Sequence, residues 1–210
     1  MENETGSSPK PNLFSEFQST FDFNRYVTRV QEIVSDPLGT WPKVKAEPGD
    51  VKQIYLQWVV VTALLPVICT FVGLSVLGSV PILDGLKTFL WQLILSMGGM
   101  YVFSLIVVKL APSFGGLATI EDAMKWLVTA MMPGAVVSIL TIIPLSFLSF
   151  IVFLLMLGAF CYGLYILWLG VPIMLGIPDD RRVPFFISTV ACIFVAAALA
   201  SWLAGHAGLA

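Results

Sequence analysis

From Phe23 to Val34 the apolar residues recur at helical spacing. Phe23, Tyr26, Val27, Val30, Ile33 and Val34 fall on the i, i+3, i+4, i+7, i+10, i+11 template. Arg25, Thr28, Arg29, Gln31 and Glu32 take the other side, so the pattern predicts an amphipathic helix. Asp22 can cap its start, and Pro37 with Gly39 ends it. Beyond Lys52 the periodicity gives way to long uncharged runs, predicting membrane spans near 54–77, 86–110, 123–143, 147–175 and 183–204. From Leu127 to Ile177 about fifty residues pass without a charge. One helix of that length would measure about 75 Å, against about 30 Å of hydrocarbon. The run must fold back, and "IIPLSFLSF" supplies the turn. Pro144 lacks an amide hydrogen there, and Ser146 and Ser149 can satisfy freed backbone groups.

The fold class expected is all-α: a polytopic membrane protein, with a five-transmembrane-helix bundle and an amphipathic N-terminal helix. Residues 1–12, rich in Ser, Pro, Asn and Glu, read as a disordered tail. Residues 13–53 read as a cytoplasmic segment, 54–204 as the transmembrane domain and 205–210 as a C-terminal tail. Within the segment, "GTWPKVKAEPGD" reads as a connector whose Trp41, Lys43 and Lys45 suit a headgroup layer. Composition agrees: the 210 residues are 58% hydrophobic and 11% charged, where a soluble domain averages about 25% charged. Trp58, Trp91, Trp126, Trp168 and Trp202 place one tryptophan toward an end of each span, as an interfacial belt would. Charge sets the orientation. With the N-terminus inside, the inner side holds Arg25, Arg29, Lys43, Lys45, Lys52, Lys109, Lys125, Arg181 and Arg182, and the outer side Lys87. A cytoplasmic N-terminus and an outside C-terminus follow. The polar start carries no cleavable signal, leaving the first span as the insertion signal.

Candidate chemistry is sparse. Net charge is −2, so nothing points to nucleic acid. Cys69, Cys161 and Cys192 read as small buried hydrophobes, without metal-ligand spacing. No span carries a charge at mid-depth, which argues against a proton-coupled pump. Asp179 and Asp180 read as a solvated helix start. No catalytic residue, metal or cofactor is indicated. The candidate packing and interaction residues are Phe23, Tyr26, Val30 and Ile33 on the amphipathic helix, and Pro112, Phe114, Gly115 and Gly116 in the loop "KLAPSFGGLATIEDAMK". There the glycines permit a turn with positive φ. Thr119 or Ile120 starts the next helix, and Phe114 should insert between helix ends or against the amphipathic helix. Gly163, four residues from Ala159, permits close helix approach. Gln92, Ser104, Tyr162 and Tyr165 are candidate polar lining. Pro66, Pro133, Pro144 and Pro172 are candidate helix breakers; Pro66 and Pro133 share an A-x-x-P pattern that hints at an internal repeat.

"LAPSFGG", "MMPGAV", "IIPLSFLSF" and "YGLYILWLGVPIMLGIPDDR", in that order, resemble the bacterial branch of the Yip family of membrane proteins. The upstream "DPLGTWPKVKAEPGDVKQIY" resembles the stretch before that branch's first helix, so the likeness covers roughly residues 27–200. It implies five spans, a cytosolic N-terminus, no catalytic residues and a bacterial inner membrane. Eukaryotic members are linked to Rab-type small GTPases and carry a D-L-Y-G-P type motif. This chain has "DPLG" at 36–39, which leaves the GTPase link unsupported. The expected function is to organise or assist partners, with membrane lipids and a membrane-protein partner or a second copy as candidates. The alternative is a small-solute or lipid transporter or scramblase using proline-broken helices one and three.

Overall fold

The computed structural model describes residues 13–142 and 149–206. Among these the chain is helical throughout. Three short helices, α1 (Leu13–Thr20), α2 (Phe23–Ser35) and α3 (Pro37–Ala46), precede five long ones. The long helices are α4 (Val51–Val76), α5 (Ile82–Leu110, tightening to a 3-10 turn through Phe114), α6 (Ile120–Val137, tightening likewise through Ile142), α7 (Ser149–Leu175) and α8 (Asp179–His206). All five are long and apolar enough to cross a membrane. The end of the bundle carrying α1–α3 is called proximal here, and the other end distal. The predicted tail 1–12, the Pro144 and Ser146 turn and residues 207–210 lie outside the described residues.

Local signals account for the boundaries. The Asp22 side chain accepts from Arg25 N at 3.2 Å and starts α2. Asp36 accepts from Gly39 N at 2.9 Å, and Pro37 takes the first helical position of α3. The predicted connector is therefore largely a helix: the proline that stops α2 also opens α3. Asp50 caps α4 through Gln53 N and Thr119 caps α6 through Asp122 N. The second and fifth helices begin four residues before the predicted spans, and the third begins at Ile120 after its Thr119 cap, as the loop reading expected. Asp84, Glu121 with Asp122, and Asp179 with Asp180 occupy their first turns, where carboxylates favour the helix dipole.

Helix α6 is the centre of the bundle. Its apolar window is 56% buried within the chain, against 6% for α7 and 11% for α8. It packs on α7, α5, α4, α2 and α3. The core therefore lies toward the proximal half, where Trp41, Trp126, Met124, Ile166, Met174 and Phe185 are fully buried. This corrects the tryptophan belt: Trp58 and Trp126 are core residues, while Trp202 faces outward. Trp41 likewise sits inside the protein rather than at its rim. Cys161 and Cys192 are exposed on their helices, contrary to the buried reading, and Cys69 is buried as expected.

The prolines do not break their helices. Pro66, Pro133 and Pro172 lie inside continuous helices. Instead α4 widens to π-type turns at Tyr55–Val59 and Val72–Val76, on either side of Pro66. At Pro172 the missing N–H frees the Trp168 carbonyl four residues back. The Arg182 guanidinium fills that vacancy from α8, through Nε at 3.1 Å and through Nη2, while stacking over the Trp168 ring at 4.2 Å.

Candidate functional site

Two structures join the short helices to the bundle. The first is a row of donors along the proximal half of α7. The indole N–H of Trp41, from α3, donates to Ile166 O at 3.2 Å, and that of Trp126, from α6, donates to Leu167 O at 2.9 Å. Arg182 takes the next carbonyl, Trp168 O. One turn on, Lys45 Nζ donates to Ile173 O at 2.7 Å and Met174 O at 3.1 Å, covering carbonyls that the helix end leaves unpaired. Gly170 makes room for the two indoles. A Cβ there would stand 2.6 Å from Trp41 Cε2 and 2.7 Å from Trp126 Cδ1.

The second is the seat of α2 on the proximal ends of α4 and α6. Tyr26 bonds Thr62 Oγ1 at 3.1 Å and packs on Trp58 with centroids 6.4 Å apart. Burial raises the Tyr26 phenol above its usual range, and the Thr62 hydrogen bond opposes the shift. Gln57 pairs with the Asp22 backbone twice, accepting from its N–H at 3.2 Å and donating to its carbonyl at 3.3 Å. Arg29 is buried under this seat. It pairs with Glu47 and stacks on Trp58 at 4.9 Å, and Arg25 adds a second contact to Glu47 at 3.3 Å. Lys125 Nζ, also buried, donates to Glu47 O at 2.5 Å. Beside these groups lies a polar recess of about 210 Å³.

The sequence-predicted residues fall into place unevenly. On α2, Tyr26 and Ile33 face the bundle and Val30 is half-buried against it, but Phe23 is 65% exposed. The buried face is Tyr26, Arg29 and Ile33, so an arginine occupies a position assigned to the polar side; Glu47 and the Trp58 face compensate its charge. The α5–α6 loop is docked. Gly115 has φ of 81°, and its N–H donates to Pro112 O at 3.1 Å. Gly116 lacks the positive φ expected of it; it is small because a Cβ would meet Ile177 Cγ1 at 2.5 Å and Leu175 O at 2.6 Å. Phe114 packs edge-on against Phe185 of α8, at 5.6 Å, taking the first of its two expected sites. Gly163 meets α6, where a Cβ would be 3.0 Å from Ala130 O.

Of the candidate polar lining, Tyr162 and Tyr165 lie together, with ring centroids 6.0 Å apart. Gln92 borders a small recess between α4 and α5, and Ser104 donates to Met100 O on its own helix at 2.8 Å. Tyr165 is exposed. Tyr162 donates to Val34 O at 2.8 Å and so holds the C-terminal end of α2. Sequence reasoning missed Trp41, Lys45, Glu47, Gln57, Gly170 and Arg182 as joint residues. A usable signal existed for one: Glu47 is the first acid after Lys43 and Lys45.

Five apolar helices with α6 at their centre define an all-α polytopic integral membrane protein. Residues 32–200 match the family model described as the Yip1 domain, so the chain belongs to the Yip family, a non-enzymatic family of membrane proteins. No curated protein and no solved structure matches it.

Proposed function

We propose that this protein organises or assists partner proteins or lipids in its membrane, using the platform formed by α1–α3 and the α5–α6 loop. The observation that carries the reading is the exposure of large apolar side chains outside the spans. Phe14, Phe23, Leu38 and Leu117 are 70%, 65%, 57% and 84% exposed on helices and a loop otherwise fixed to the bundle. Apolar surface held on a platform fixed to the bundle suits contact with another protein or with lipid. Gln92 borders the small α4–α5 recess, Ser104 bonds within its own helix and Tyr162 holds α2, which favours the organising reading over the transporter one. The proposed location is a bacterial cytoplasmic membrane with the N-terminus inside, supported by the crowding of basic residues at the proximal end.

The test is photocrosslinking in native membranes, with a photoreactive residue at Phe14, Phe23, Leu38 or Leu117 and a control at buried Met124. Discrete protein adducts from the exposed sites support a protein partner, and lipid adducts support a lipid role. Absence of both, with the control equally silent, contradicts the proposal.

A further inference from the structure

We propose that the polar recess beside the α2 seat binds a phosphate-bearing anion, supplied in the membrane by the headgroup of an anionic phospholipid. The recess holds about 210 Å³, enough for a phosphate ester group, and its walls include Arg25, Glu47, Gln53, Gln57, Trp58 and Lys125. Arg25 and Arg29 pair with the carboxylate of Glu47, and Lys125 donates to its backbone carbonyl. Of the residues that line the recess, Arg25 and Lys125 are cationic and Glu47 is the one acid, which leaves a local excess of one positive charge (2 − 1). The flanking acids do not change this within the recess: Asp22 and Asp50 cap α2 and α4, and neither lines it. Glu16 is paired with Lys52 at 2.6 Å.

Donor capacity is left over as well as charge. Among the described residues the Lys125 ammonium has one hydrogen-bond partner, Glu47 O, for its three N–H groups. The half-exposed Arg25 guanidinium lines the recess, and among the described residues its ion-pair partner is Glu47. A guanidinium fork beside an ammonium matches the oxygens of a phosphate. Position favours lipid as the source. Gln53, Gln57 and Trp58 belong to the first two turns of the first span, where a helix passes from headgroups into hydrocarbon. The site does not rest on the organising role proposed above: a protein that organises nothing could still hold one such lipid.

The test uses the full chain, stripped of lipid in non-ionic detergent, and native mass spectrometry to measure dissociation constants. The probes are phosphatidylglycerol, a phosphate-free glycolipid with the same acyl chains, and inorganic phosphate. Two variants are compared. Gln53→Glu adds a carboxylate to the recess wall at an exposed position whose side chain makes no hydrogen bond among the described residues, and Arg25→Gln removes a half-exposed cation. Phosphatidylglycerol should bind in preference to the glycolipid, and each variant should weaken it roughly tenfold or more. Arg25→Lys, which keeps the charge, should lose less. Variant-sensitive binding of inorganic phosphate as tight as that of phosphatidylglycerol would keep the phosphate chemistry and overturn the lipid source. Phosphatidylglycerol binding that is absent, matched by the glycolipid, or unchanged in both variants would overturn the site.

Discussion

Replacing Gly170 with alanine adds one methyl group at the point where α3 and α6 both reach α7. The new Cβ would lie 2.6 Å and 2.7 Å from Trp41 ring atoms and 2.7 Å from Trp126 Cδ1. Carbon atoms pack at about 3.5–4.0 Å, so something must move by about 1 Å. Neither ring is free to do so, since both are fully buried and each is tethered by its indole N–H to an α7 carbonyl. Overpacking of this kind costs about 1–3 kcal/mol. Losing the longer Trp41 hydrogen bond adds about 1 kcal/mol, and alanine's better helix propensity returns about 1 kcal/mol. The net expectation is a destabilisation of about 1–3 kcal/mol, concentrated on the α3 joint. The assay is thermal unfolding in detergent, together with limited proteolysis of α3. Gly158→Ala is the control on the same helix, where a Cβ would meet nothing within 4 Å. It should be neutral or stabilising by up to about 1 kcal/mol. Equal stability of the two variants would refute the reasoning, because it would mean that the indoles do not close on Gly170.

Gly163→Leu should lower thermal stability, since Ala130 O already stands 3.0 Å from the position of a Cβ; an unchanged midpoint would place α6 and α7 further apart. Tyr162→Phe should cost about 1 kcal/mol and speed hydrogen exchange at the C-terminal end of α2, because Val34 O loses its donor; unchanged exchange would show that the bond does not form. Phe114→Ala should loosen the start of α8 around Phe185 rather than α2, read as exchange over residues 179–186, and loosening confined to α2 would contradict the packing. The raised Tyr26 phenol gives a pH dependence. Its docked form keeps the proton longer than an undocked tyrosine, which ionises near pH 10. The docking it supports is complete below that pH and is lost as pH rises above it. Protease release of α1–α3 should therefore increase at alkaline pH, with a shallower rise in Tyr26→Phe; identical profiles would remove Tyr26 as the cause.

The spans were legible because hydrocarbon demands one thing of a sequence, an uncharged run of sufficient length, and five such runs stand apart here. The start at Thr119 or Ile120 and the helix start at Asp179 were legible from their caps and acids, while the second span was read four residues late, because Asp84 looks like a loop residue until the helix dipole is considered. The joint was far less legible. Trp41 and Trp126 resemble interfacial anchors by composition, and only the fold reveals that both indoles point at consecutive carbonyls of α7. Arg29 reads as a solvated residue of the polar face, because a periodicity argument assigns every charge to water. Its partners, Glu47 and Trp58, lie 18 and 29 positions further along the chain. Pro172 reads as a helix breaker because the arginine that replaces its missing donor comes from the next helix.

The docking of α1–α3 as part of the bundle is tested most directly by hydrogen exchange of the full chain in lipid nanodiscs, read over residues 23–46. With Tyr26, Arg29, Trp41 and Lys45 bound as described, these amides should be protected to a degree approaching that of α6 over 120–137. Exchange over 23–46 at the rate of an unstructured peptide, while 120–137 stays protected, would contradict it.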